Sequence, residues 1–102
     1  MKNEDLIYKF CTGNFDEDKV YRCGNLTIQD DRLFSYNTCI AEYGDDRNIV
    51  YINLTKYSST TIRHQNIVLK YFRTSIQFEL YDGVPINTRN LSRHAYDKQR
   101  ES

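Results

Sequence analysis

The chain has 102 residues, the size of one ordinary domain with a single core. Hydrophobic residues make up 39%, charged residues 27% and aromatics 14%, a mixture that excludes a disordered chain, a collagen-like repeat and a coiled coil. Fourteen Lys and Arg balance fourteen Asp and Glu, which argues against a whole-molecule polyelectrolyte binder and against an acidic mimic of DNA. The balance hides a polarity. Residues 1–50 hold six basic and ten acidic side chains, net −4, and residues 51–102 hold eight and four, net +4.

In chain order, Asn3 is placed to cap a short helix, with Glu4 and Asp5 in its first turn, where negative charge suits the helix dipole. Leu6, Ile7 and Phe10 fall at helical spacing, and Gly13 can close the helix. Residues 14–19, with Asp16, Glu17 and Asp18, read as a solvated loop. From Gly24 the period becomes two: Leu26 and Ile28 alternate with Asn25, Thr27 and Gln29. Asp30-Asp31 forms a two-residue turn and Leu33 to Tyr36 resumes strand chemistry. Thr38 to Tyr43 continues as another strand, or as the same one after a bulge at Asn37. Gly44 to Asn48 is a turn, and Ile49 to Ile52 is a buried strand.

The hydroxyls of Ser58, Ser59, Thr60 and Thr61 are candidate caps for the main helix. That helix puts His64, Ile67, Val68, Tyr71, Phe72 and Ser75 on one face. Ile76, Phe78 and Leu80 then alternate with Gln77, Glu79 and Tyr81 as an edge strand, and Asp82-Gly83 turns the chain. The expected fold class is α+β: a small antiparallel sheet of three to four strands in a β-meander, with a short N-terminal helix and one main helix packed on it. Residues 1–102 form one domain, with a polar, frayed C-terminal tail from about residue 87.

Cys11, Cys23 and Cys39 are odd in number and lack C-x-x-C spacing. No apolar signal core follows the N-terminus, and apolar runs fall far short of the ~20 residues a membrane span needs. These features point to a cytoplasmic protein with reduced thiols, without membrane, metal or cofactor. A zinc site built from the cysteines with His64 or His94 would match no standard spacing. Asp16/Glu17/Asp18, Asp30/Asp31 and Asp45/Asp46 are adjacent carboxylates in turns, not a convergent acid–base pair. No Ser/His/Asp relay has a recognisable spacing, and His64 on an apolar helix face reads as a hydrogen-bonded core-boundary residue. No catalytic residue is assigned and the chain reads as a non-enzyme.

Two binding surfaces compete. Nine tyrosines against two alanines suit a protein-contact face, with Tyr36, Tyr51 and Tyr81 as representative contacts; the plainer alternative is tyrosine in place of phenylalanine at half-buried strand sites. Lys56, Ser58, Thr60, Thr61 and Arg63 would form a phosphate or nucleic-acid site at the start of the main helix. Ordinary capping chemistry is the alternative there. The edge strand is also a place for a partner, or for a second copy of the chain in a homodimer.

Gly24-Asn25-Leu26-Thr27-Ile28, Leu33 to Ala41, and Asn53 to Gln65 carry a pattern of the form SYxTxIA followed by KYSxTTxxHQ. In this the chain resembles a domain of unknown function found in short phage and bacterial proteins. The resemblance transfers no catalytic or binding residue. It implies a phage-type accessory protein that binds and blocks a host protein or protein–nucleic acid complex, as anti-CRISPR and other anti-defence inhibitors do, an analogy resting on size, source and lack of motifs.

Overall fold

The computed structural model describes residues 2–44, 47–72 and 77–91. In it the chain is an α+β fold of two helices and one six-stranded sheet, in the order α1 (Asn3–Cys11), β1 (Tyr21–Cys23), β2 (Leu26–Gln29), β3 (Arg32–Ser35), β4 (Thr38–Tyr43), β5 (Ile49–Asn53), α2 (Ser59–Tyr71) and β6 (Gln77–Tyr81). The strands lie side by side in sequence order. Pairs β1–β2, β2–β3, β3–β4 and β4–β5 are antiparallel, while β6 runs parallel to β5.

Two expectations are corrected. The sheet has six strands rather than three to four, because the three-residue β1 is too short to show a period and because Leu33–Tyr43 is two strands. It is mixed rather than wholly antiparallel, because α2 carries the chain back across the sheet before β6 begins. The turn at Tyr36-Asn37 separates β3 from β4, and the bulge lies at Ile40, which has no partner between the Leu33↔Ala41 and Phe34↔Cys39 pairs. Ile40 and Ala41 are consequently both buried in the core beneath the helices.

Local chemistry explains the element ends. Helix α1 starts with Lys2 at the cap, one residue before the expected Asn3, and the Asp5 carboxylate accepts the Lys2 backbone N–H at 3.2 Å. Gly13 closes it in the left-handed conformation, φ +70. Asp30 and Asp31, at φ +54 and +62, make the β2–β3 turn with both central residues left-handed, the type I′ pattern.

The sheet has two differently covered faces. Both helices pack on one, where Leu6, Ile7 and Phe10 of α1 and Val68 of α2 join Leu26, Ile28, Leu33, Ile40, Val50, Ile52 and Phe72. Phe10, Phe15, Tyr43 and Phe72 pack there at centroid distances of 4.8–6.1 Å, with Phe72 edge-on to Phe10 and Tyr43. Arg47 seals one end, donating to the carbonyls of Gly13 and Phe15 and pairing with Asp31 at 2.8 Å.

On the other face the segment after β6 crosses back over the sheet, and its Val84 and Leu91 bury against Phe34 and Cys39. Cys39 N–H donates to Thr88 O at 2.8 Å, Asn87 N–H to Thr38 Oγ1 at 2.8 Å and Leu91 N–H to Glu42 Oε1 at 3.0 Å. Buried Glu42 also receives Arg32 Nε at 2.8 Å, which satisfies its charge. Of the expected tail from residue 87, the part up to Leu91 is thus held on the sheet, and residues 92–102 lie outside the described residues.

Leu91 is fully buried, so Leu91→Ala is expected to cost about 2–5 kcal/mol in urea unfolding. An unchanged unfolding midpoint would show that this segment does not hold the sheet.

Candidate functional site

Two of the polar residues singled out in sequence, Thr61 and His64, meet inside the molecule at Ser35, which the sequence did not single out. Ser35 ends β3, Thr61 sits in the first turn of α2 and His64 one turn later. Ser35 Oγ lies 3.0 Å from Thr61 Oγ1 and 2.9 Å from His64 Nδ1. Ser35 is 1% exposed and His64 2%. A hydroxyl this deeply covered offers a substrate no approach, so the pair ties helix to sheet.

A second cluster adjoins it. Gln65 Nε2 donates to Asn53 O at 2.7 Å and to Thr55 O at 2.9 Å. Asn53 Nδ2 donates to Cys39 O at 3.1 Å and to Tyr57 Oη at 2.9 Å, and Tyr57 Oη donates to Val84 O at 2.6 Å. Thr55 Oγ1 accepts Val84 N–H at 2.9 Å. Asn53, Thr55, Tyr57 and Gln65 therefore join β4, β5, α2 and the segment after β6. No buried side-chain nitrogen or oxygen among the described residues lacks a hydrogen-bond partner.

The same hydrogen bonds occupy part of the candidate phosphate site. Ser58 caps α2, its Oγ accepting Thr61 N–H at 3.2 Å. Thr61 is turned inward to Ser35. Ser58 and Thr61 are thus committed to capping and packing, while Lys56 and Arg63 are exposed and Thr60 is half-buried. The candidate tyrosines divide as well. Tyr51 and Tyr81 meet on neighbouring strands with ring centroids 5.8 Å apart, and Tyr81 Oη donates to Glu79 at 2.6 Å. Tyr36 lies elsewhere, 51% exposed at the β3–β4 turn.

Two surface concavities among the described residues bear on these candidates. The first is apolar, about 410 Å³, and lies between α2 and β6, lined by Ile52, Asn66, Leu69, Lys70, Phe72 and Phe78. Beside it β6 is the last strand of the sheet, with Phe78 46% and Leu80 48% exposed. Phe78 and Leu80 were expected on an edge strand, and β6 is that edge; Ile76 and Ser75 lie outside the described residues. The second is a polar cleft of about 530 Å³ over β1–β3, on the face away from the helices, and Tyr36 and Arg22 help line it. Sequence reasoning missed this cleft. Its residues are scattered from position 22 to 89, and only the fold gathers them.

The three cysteines are free thiols, and among the described residues no group of His, Cys, Asp and Glu is arranged to hold a metal ion. Burial pushes the Cys11 and Cys39 thiols well above their ordinary range, keeping them protonated. No helix among the described residues is long and apolar enough to cross a membrane.

Burial, with a smaller contribution from the Arg63 charge, holds the His64 pKa below its usual 6.5. As pH falls below that value the unfolded chain takes up a proton that folded His64 resists, so stability declines towards acid. Urea midpoints measured at about pH 7.5 and 5.5 are expected to differ more for the native chain than for His64→Gln. Equal differences would remove His64 from the account.

No curated protein and no solved structure was found to match the chain. One family model does match, over residues 10–79, a span that runs from the end of α1 into β6 and holds both hydrogen-bonded clusters apart from Val84. On that match the chain belongs to DUF8033, a family of unknown function.

Proposed function

We propose that this chain is a non-enzymatic binding protein that blocks a macromolecular assembly by contact, through the β6 edge and the apolar groove beside it. The supporting observation is the β6 edge, which has no further strand beside it among the described residues. Its backbone groups run along the margin of the sheet, and half-exposed Phe78 and Leu80 point to the same side as the groove under α2. A protein segment adding as a further strand would gain main-chain hydrogen bonds from the edge and side-chain contacts from the groove. Tyr81, with Tyr51 against its ring, offers aromatic contact on the opposite face of the same strands.

The partner is a host protein or protein–nucleic acid complex, and the setting is the cytoplasm of a phage-infected cell. This rests on the small size of the chain and on the engagement of Ser35, Thr61 and His64 in packing. The reading belongs with phage inhibitors of host defence by analogy of size and design, not by shared residues.

Phe78→Asp and Leu80→Asp are expected to weaken capture of the partner from nuclease-treated host lysate by at least about tenfold. Both side chains are half exposed, so the thermal midpoint is expected to stay close to that of the native chain. Undiminished capture by both variants, in folded protein, would contradict the proposal.

A further inference from the structure

The polar cleft over β1–β3 is separate from the β6 edge, and its lining has a consistent chemistry. Arg22 projects from β1 and Arg89 from the segment that crosses the sheet, and both line the same concavity. Among the described residues neither makes an ion pair, whereas Arg32 and Arg47 are spent on Glu42 and Asp31. Among the described residues no carboxylate lines the cleft. It is a local positive site on a molecule of zero net charge.

The shapes on offer are flat. The Arg89 guanidinium carbon lies 4.2 Å from the centroid of the Phe34 ring, and Phe34 is buried. The ring therefore sits against the Arg89 guanidinium, and both line the cleft. Tyr36 adds a half-exposed ring at the rim, and Asn25, Thr27, Gln29 and Asn37 add amide and hydroxyl donors and acceptors.

Tyr36 is also strained. The two-residue turns Gly24-Asn25 and Tyr36-Asn37 connect β1 to β2 and β3 to β4, and both line the cleft. Their first residues stand at the same φ, +58. Glycine adopts that conformation freely, but a bulky residue pays for it with roughly 1–3 kcal/mol of backbone strain. Here the strained residue is an aromatic whose ring is not used in the core.

We propose that this cleft binds a segment of single-stranded nucleic acid, with a backbone phosphate between the guanidinium groups of Arg22 and Arg89 and a base against the ring of Tyr36. Paired cations without carboxylates suit phosphate, and flat exposed groups suit unstacked bases. The surrounding amides suit base edges. The pairing of charge with stacking surface favours this ligand over an acidic peptide, which would use the charges and leave Tyr36 idle.

The test uses fluorescein-labelled 12-mers of oligo-uridine and oligo-thymidine, with a duplex of the same length and poly-glutamate as competitors, read by anisotropy on the full chain. Binding of a single-stranded oligomer is expected, weakening with salt at a log–log slope of about −0.7, as for one phosphate contact. Duplex and poly-glutamate are expected to compete poorly. Arg22→Ala and Arg89→Ala are each expected to weaken binding at least about fivefold. Tyr36→Asn, which accepts the left-handed backbone but removes the ring, is expected to weaken binding by a similar factor without lowering the thermal midpoint. Lys56→Ala, Arg63→Ala and Phe78→Asp are expected to bind as the native chain does, which separates this site from the helix start and from the β6 edge. No binding at low salt, loss confined to Lys56→Ala or Arg63→Ala, or stronger competition by poly-glutamate would each overturn the proposal.

Discussion

The structure depends on how Asn53 and Gln65 satisfy one another's surroundings. The strand β5 ends at Asn53, and the chain must leave the sheet, form α2 and return as β6 on the same side. That departure exposes backbone carbonyls in the interior, each costly if left without a partner. Gln65 covers those of Asn53 and Thr55, and Asn53 covers that of Cys39. Through Tyr57 the same cluster reaches Val84 and fixes where the chain crosses to the opposite face. Ser35, Thr61 and His64 bind the first turns of α2 to the end of β3. The crossover helix, the parallel strand and the covering segment are all positioned by hydrogen bonds from a stretch of thirteen residues, Asn53 to Gln65.

This has a consequence for function. Serine, histidine and threonine side chains that would attract attention as chemistry are consumed in joining elements. Among the groups that face outward are a half-apolar strand edge at one margin of the sheet and, over β1–β3, a cleft with Arg22, Arg89 and a strained tyrosine, neither arginine being ion-paired among the described residues. Recognition by surface is the activity we propose for such a distribution. The two surfaces are well separated in the sheet order, so one partner complex could touch both.

Much of the fold was legible because local rules were obeyed. The alternation of Leu26 and Ile28, the paired aspartates at the β2–β3 turn, Gly13 after α1 and the hydroxyls before α2 each led to the right element. His64 was readable as a packed residue because it shares the helix face of Val68. What escaped was non-local. Three residues, Tyr21–Cys23, carry no period, and nothing in Gln77–Tyr81 says that its neighbour runs parallel. Polar Asn87–Leu91 reads as solvated until Thr38, Cys39 and Glu42 are seen to receive its backbone. The cleft was invisible for the same reason: Arg22, Tyr36 and Arg89 become neighbours only when the segment after β6 folds back.

The central claim is that the polar residues of Asn53–Gln65 and Ser35 act together to hold the fold. A double-mutant cycle on Ser35→Ala and His64→Gln, measured by urea unfolding at neutral pH, tests it most directly. The account requires each single change to destabilise the chain and the pair to be non-additive by roughly 0.5–3 kcal/mol. Additive effects, or single changes without effect on stability, would contradict it and return both residues to consideration as functional groups.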